Sequence, residues 1–190
     1  MVRTLKLLAI VSMMTLLPSH LHAGDVDNTP VASLDLSRYL GTWYEIARFD
    51  HSFERGMNYV TAEYILKKDG KIEVLNSGWK DNKSKTVRGK AKQPEPKSHP
   101  ALLKVSFFMF FHSDYRILML DEDYSAALVG SSSDKYLWVL SRTPSLPESK
   151  LDKIIEEASR RGYDTSRLIW VKQGVKQGIE SKQPKSTSSL

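Results

Sequence analysis

From Trp43 onward, apolar and polar residues alternate with a period of two, in short runs broken by polar turns. That alternation predicts strands at Trp43–Phe49, Tyr59–Leu66, Lys71–Trp79, Thr86–Gln93, Leu102–Phe108, Tyr115–Asp121, Ser125–Ser131 and Tyr136–Arg142. Lys68-Asp69-Gly70-Lys71 holds the Asp-Gly pair favoured in tight hairpins. Leu34–Leu40 reads as a short helical turn ahead of Gly41. Beyond the strands the period changes. Ser145-Leu146-Pro147-Glu148 fits a capping box with Ser145 as N-cap. Leu151, Ile154, Ile155 and Ala158 then share one helical face, and Gly162 stops the helix before a last strand at Leu168–Lys172. The expected fold is all-β: an eight-stranded antiparallel up-and-down β-barrel, with one C-terminal α-helix packed outside and a final short strand.

In such a barrel successive loops alternate between ends. Gly41 and Trp43, the Asp121–Tyr124 turn and Arg142 then meet at one end, where an Arg head can stack on the flat face of Trp43 and close it. The loops His51–Asn58, Lys80–Lys85, Met109–Ser113 and Ser131–Asp134 form the mouth. Strand parity turns Glu45, Ala47, Phe49, Ala62, Tyr64, Val74, Asn76, Val87, Gly89, Ala91, Leu103, Val105, Phe107, Tyr136 and Trp138 inward. Several of these are small, so they leave space, and eight strands can enclose one small ligand. Filling of that space by the barrel's own side chains is the alternative.

Composition narrows the picture. Arg3 and Lys6, the apolar stretch Leu7–Leu17 and the polar run to Ala23 have the order of a secretory signal peptide over residues 1–23. The expected organisation is then a flexible segment at 24–33, one domain at 34–173 and a disordered tail at 174–190. The sequence holds no cysteine. That excludes disulfides, thiol catalysis, thiolate metal sites and a lipid-modified cysteine; with the signal-like residues 1–23, an exported, periplasmic or secreted protein is expected. Of the formal charge of +6, Arg3 and Lys6 supply two units and the tail two more. The remainder shows mixed signs on most strands and no basic face, so nucleic acid is not an expected partner.

Three uses of these residues stay open. A container for an apolar or amphipathic small molecule follows from the small inward residues. A docking module follows from the mouth, where Phe53, Phe110 and Phe111 stand near the Lys80–Lys85 loop and suit a membrane surface or an anionic amphiphile. An enzyme would draw on Glu45, His51, His112 and Asp114, but no nucleophile elbow, His-Glu-x-x-His motif or phosphate loop accompanies them. No catalytic residue, metal or cofactor is expected.

Gly41-Thr42-Trp43, the Leu120-Asp121 and Tyr124 turn, and Arg142 ending the last barrel strand resemble the three motifs of the lipocalins, the second departing from consensus at its Thr. Leu40–Asp50, Leu103–Phe108, Ala127-Leu128-Val129, Tyr136–Pro144 and Ile169-Trp170-Val171 are similar to the bacterial outer-membrane, apolipoprotein D-like subgroup. The resemblance spans about Leu34 to Gln173. It implies a calyx for fatty acids, lysophospholipids or similar molecules, often at the outer membrane. Many bacterial members are anchored through an N-terminal cysteine, which this sequence does not have.

Overall fold

The structure, a computed structural model, describes residues 26–108 and 111–174. The expected signal peptide and the tail beyond Gly174 lie outside the described residues, as do Phe110 and the side chains of Phe111 and His112. Among the described residues nine strands form one antiparallel sheet. They are β1 (Gly41–Phe49), β2 (Asn58–Leu66), β3 (Ile72–Lys80), β4 (Lys83–Lys92), β5 (Leu102–Phe108), β6 (Phe111–Leu120), β7 (Ala126–Gly130), β8 (Leu137–Ser141) and β9 (Leu168–Trp170). Neighbours in sequence pair from β2 to β8, and β1 joins both β8 and β2, which closes an eight-stranded barrel. The ninth strand lies on Ala47–Phe49 of β1, outside the ring.

Strand β1 closes the ring by dividing its length. Gly41–Tyr44 pair with β2, Tyr44–Arg48 with β8, and the last three residues with β9. Where β1 leaves β2, the Gln173 amide donates to Glu45 O (2.7 Å) and Val60 O (2.8 Å), and Tyr59 N donates to Lys172 O (2.7 Å). Backbone groups that the diverging strands would leave bare are satisfied there. At the other turns, Gly70 supplies the positive φ of the β2–β3 turn, and Asp81 and Asn82 supply two for the β3–β4 turn.

Two cores result from the alternation. The inner one holds Tyr39, Trp43, Tyr64, Val74, Leu103, Ile117, Val129 and Leu140. The outer one joins Ala47, Phe49, Leu118, Leu128 and Val139 to Ile154 and Ala158 of the helix α2 (Glu148–Arg160). Strand β7 is buried along its whole length because the helix covers its outer face. A short helix α1 (Leu36–Tyr39), capped by Asp35 accepting from Ser37 N (2.9 Å), brings Tyr39 into the inner core.

One expectation about local structure is corrected. Ser145 does not cap the helix; Pro147 takes the N-cap position with ψ 140° and no side-chain cap bond. A residue before proline is driven from the helical region, and the chain remains extended through Pro147. Ahead of Leu34 the described part of the chain is bonded to the barrel. Val31 N donates to Ile117 O and Asp27 N to Arg161 O, both at 2.8 Å, while Arg161 reaches Thr29 O at 2.8 Å. Two arginines, Arg116 and Arg161, strap it to the barrel.

The helix ends as expected. Gly162 has φ +88°, Tyr163 N donates to Ala158 O and Gly162 N to Ser159 O, a Schellman arrangement. Gly162→Ala is expected to cost about 1–2 kcal/mol, the penalty of a side chain in the left-handed region. A urea midpoint lowered at unchanged slope would show it; an unchanged midpoint would refute it.

Candidate functional site

One end of the barrel is sealed from the residues the sequence nominates. The Arg142 guanidinium stands 3.9 Å above the Trp43 ring and donates to Thr42 O (2.8 Å), Arg38 O (2.6 Å), Tyr39 O (3.1 Å) and Tyr124 O (3.3 Å). Trp43 Nε1 donates to Tyr39 O at 2.8 Å. Arg38 stacks on Tyr124 at 4.0 Å, and the Tyr124 hydroxyl accepts from Asp35 N at 2.8 Å. Asp121 holds Lys150 of α2 at 2.7 Å. Gly41, Trp43, Asp121, Tyr124 and Arg142 thus share one floor.

Above the floor lies a cavity of about 650 Å³, within the span of small-molecule pockets. Its apolar wall comes from Ala62, Tyr64, Val74, Val87, Val105, Phe107 and Leu140, and its rim from Phe53, Met57, Ser131–Ser133 and Tyr136. Toward the floor, Tyr39 and Tyr115 hydroxyls meet at 2.6 Å, with the Tyr64 ring 5.9 Å from that of Tyr115. Burial pushes all three hydroxyls above the usual phenol range, so they remain protonated.

A polar group is set into one wall. Arg48, 1% exposed, donates to Glu45 Oε1 at 2.5 Å and to Glu54 O at 2.7 Å. Trp138 Nε1 donates to Glu54 Oε2 at 3.2 Å. His51 Nε2 is 2.9 Å from Glu54 Oε2, but not in hydrogen-bond geometry, so both ring nitrogens lack a bond. The His51 ring stacks on Phe53 at 3.8 Å. Burial first, and the neighbouring charge of Glu54 second, push the Glu45 carboxyl up to about 8, against the pull of Arg48. The buried Asn76 Oδ1 also has no bond, and Asn76 lines the cavity. A ligand donor reaching that oxygen would find an open acceptor. Among the described residues no three His, Cys, Asp or Glu side chains gather to hold a metal ion.

A family model for the lipocalin-like domain matches residues 34–173, which covers the barrel, α2 and β9. The chain belongs to the lipocalin family. It is 48% identical over 151 residues to the outer membrane lipoprotein Blc of Vibrio cholerae, covering 76% of this chain and 85% of that protein. To mouse apolipoprotein D it is 36% identical over 158 residues, covering 77% and 82%. Among solved structures, insecticyanin from the tobacco hornworm superposes with a TM-score of 0.65 at 20% identity, over 78% of this chain and 85% of that one.

The lipocalin cavity can be set against the residues parity turned inward. Ala62, Tyr64, Val74, Asn76, Val87, Val105, Phe107, Tyr136 and Trp138 all line it, as does Phe53 from the mouth loop. Leu103 is inside but packs into the floor core, and Gly89 lies beneath the Phe107 ring. Ala47 and Phe49 are corrected: both face outward under α2, where Arg167 stacks on the Phe49 ring at 4.4 Å. The β1–β8 register shifts between Glu45 and Ala47. One extra residue exchanges the faces of everything after it.

The same bulge brings Arg48 beside Glu45 and makes it the partner of that carboxyl. Glu54 was missed because a charged loop residue reads as solvated; here its side chain folds under the mouth. His51 is likewise buried and not a surface histidine. Phe53 stands 57% exposed at the mouth, its ring stacked on His51 and 6.1 Å from that of Tyr136. The partners expected to join it, Phe110 and the Phe111 side chain, fall outside the described residues.

Proposed function

We propose that this lipocalin binds and carries small apolar or amphipathic molecules, with fatty acids and lysophospholipids as the ligand class, in an exported compartment, periplasmic or secreted. The observation that carries this reading is a 650 Å³ cavity, apolar along its walls, that ends in a sealed floor below and polar groups beside the mouth. An acyl chain fits the apolar part. Burying about ten methylenes gains roughly 8 kcal/mol, against an association cost of about 4–15 kcal/mol. The chain alone therefore binds weakly, and head-group contacts with the Glu45–Arg48–Glu54 wall or Asn76 supply the difference. Relatives named outer membrane lipoproteins support a place in the envelope. This sequence offers no cysteine for a thioether-linked lipid, so a carrier without that tether is proposed.

Nothing in the arrangement favours catalysis. Glu45 is tied to Arg48, and neither ring nitrogen of His51 has a hydrogen-bond partner among the described residues. The test is native mass spectrometry of purified protein with organic extraction of what it holds. A long-chain fatty acid or lysophospholipid at about one per chain is the expected result. Apo protein that also fails to take up added oleate would refute the carrier reading.

A further inference from the structure

Among the described residues the ladder between β4 and β5 is the shortest in the barrel. Only Lys90–Lys92 of β4 pair with Ser106–Lys104 of β5, although β4 runs from Lys83. Beyond that short ladder no further β4–β5 pair is found among the described residues, and Val87 is 44% exposed while also lining the cavity. The Phe107 ring covers the gap by lying on Gly89, where a Cβ would meet Phe107 Cδ1 at 2.6 Å. Only glycine allows the ring to seat there.

Outside this seam runs a groove of about 1160 Å³, from the β2–β3 turn to β5. Seven of its lining residues are Lys or Arg, against the two acids Asp69 and Glu73. Glu73 is shared by Lys67 (3.1 Å) and Arg88, Asp69 holds Lys71 at 2.7 Å, and Lys104 turns to Asp114. Lys68, Lys90 and Lys92 have no acidic partner within salt-bridge reach among the described residues. Lys92 and Lys104 are direct cross-strand partners in the ladder of three pairs. Like charges facing each other destabilise a strand pair; here the Lys104 head turns to Asp114, which leaves Lys92 as the unpaired charge on the seam among the described residues. Apolar surface accompanies the charge: Leu66 is 53% exposed and Ile65 lines the groove. Lys104 and Phe107 line both the outer groove and the inner cavity.

We propose that this basic groove is a docking face for an anionic lipid bilayer, seating the β4–β5 seam on the membrane so that a lipid chain enters the cavity from the side. Charge complementarity selects the partner, since each Lys or Arg near an anionic surface adds to the attraction. The exposed Leu66 and the half-buried Ile65 suit the headgroup boundary. No exposed aromatic platform accompanies the lysines, which disfavours nucleic acid. The face escapes notice in the sequence because β2, β3, β4, β5 and a turn each contribute a few residues, and each alone has mixed signs.

The entry route rests on the carrier reading; the docking face does not. The test is flotation of the protein, without added ligand, on vesicles of phosphatidylcholine alone or with phosphatidylglycerol. Stopped-flow uptake of an anthroyloxy-labelled stearic acid from the same vesicles is followed in parallel. Wild type is expected to bind the anionic vesicles and to take up the probe from them faster than from neutral ones. The variant K68Q/K90Q/K92Q is expected to bind about a hundredfold more weakly and to lose the rate advantage, with unchanged affinity for the probe in solution. The mouth variant K83Q/K85Q is expected to behave as wild type. Undiminished binding by the groove variant, loss confined to the mouth variant, or capture of duplex DNA through the same lysines without vesicle binding would overturn the proposal. Failure of wild type to bind the probe in solution, with flotation intact, would instead sink the carrier reading and leave the docking face standing.

Discussion

Arg142→Ala is expected to destabilise the folded protein by about 3–4 kcal/mol, a large share of the 5–15 kcal/mol typical of a domain. One guanidinium serves four carbonyls from three separate segments, Arg38 and Tyr39 of α1, Thr42 of β1 and Tyr124 of the β6–β7 turn. Bonds to a charged donor are worth about 1.5–3 kcal/mol each when buried. The head is only partly buried, so water recovers some of that. The stacked Trp43 face adds about 0.5–2 kcal/mol. For a chain of this size the loss corresponds to roughly 10 °C in Tm. Arg142→Lys separates charge from geometry: one ammonium cannot span four carbonyls, so less than half of the loss should return. Thermal and urea unfolding measure both variants, with near-ultraviolet circular dichroism reporting the Trp43 environment. A loss below about 1 kcal/mol in the alanine variant would mean that the floor is held by the core and not by this clamp.

The floor was legible because its chemistry is written in residue types that have few other uses at those places. A Trp beginning one strand and an Arg ending another are informative once alternation establishes how many strands lie between them. The inner wall was legible for the same reason on β2, β3 and β5, where charged residues mark the outer face and parity gives the inner one. Parity failed on β1. Ala47 and Phe49 are as apolar as any inward residue, and the sequence Glu45-Ile46-Ala47-Arg48 carries no glycine or proline to announce a bulge. The helix laid on the outside makes both faces of β1 apolar, so composition cannot choose between them. Arg48 was lost with the bulge, since strict alternation places it in solvent. The basic groove was lost differently, because it is assembled only when four strands lie side by side.

Arg48 and Glu45 supply the other large effect. Arg48→Met removes the partner of two buried acceptors, Glu45 Oε1 and Glu54 O, and should cost about 3–5 kcal/mol, as breaking one half of a buried pair does. The double variant R48M/E45L removes the guanidinium and the carboxyl together, leaves neither unpartnered, and should recover much of that loss. Recovery is read as a coupling energy from urea unfolding of the two single variants and the double; additive losses would show that the residues act independently. The same carboxyl sets a pH dependence. Glu45 is raised from 4.5 to about 8 in the folded chain, so between those values the native state binds more protons than the unfolded one. Stability from this group is therefore greatest below about 4.5 and declines as pH rises through 8. Glu45→Gln keeps the shape and a hydrogen-bonding oxygen for Arg48 but cannot titrate. Its unfolding free energy should fall less between pH 5 and about 8 than that of wild type, and identical slopes would place the titrating group elsewhere. Because Glu45 lines the cavity, the proton it holds is also one that a ligand head group meets. A ligand bearing an ammonium that approaches Glu45 would favour the carboxylate and release the proton, so binding of a cationic amphiphile should liberate protons near pH 7, whereas a neutral alkane of equal length should not.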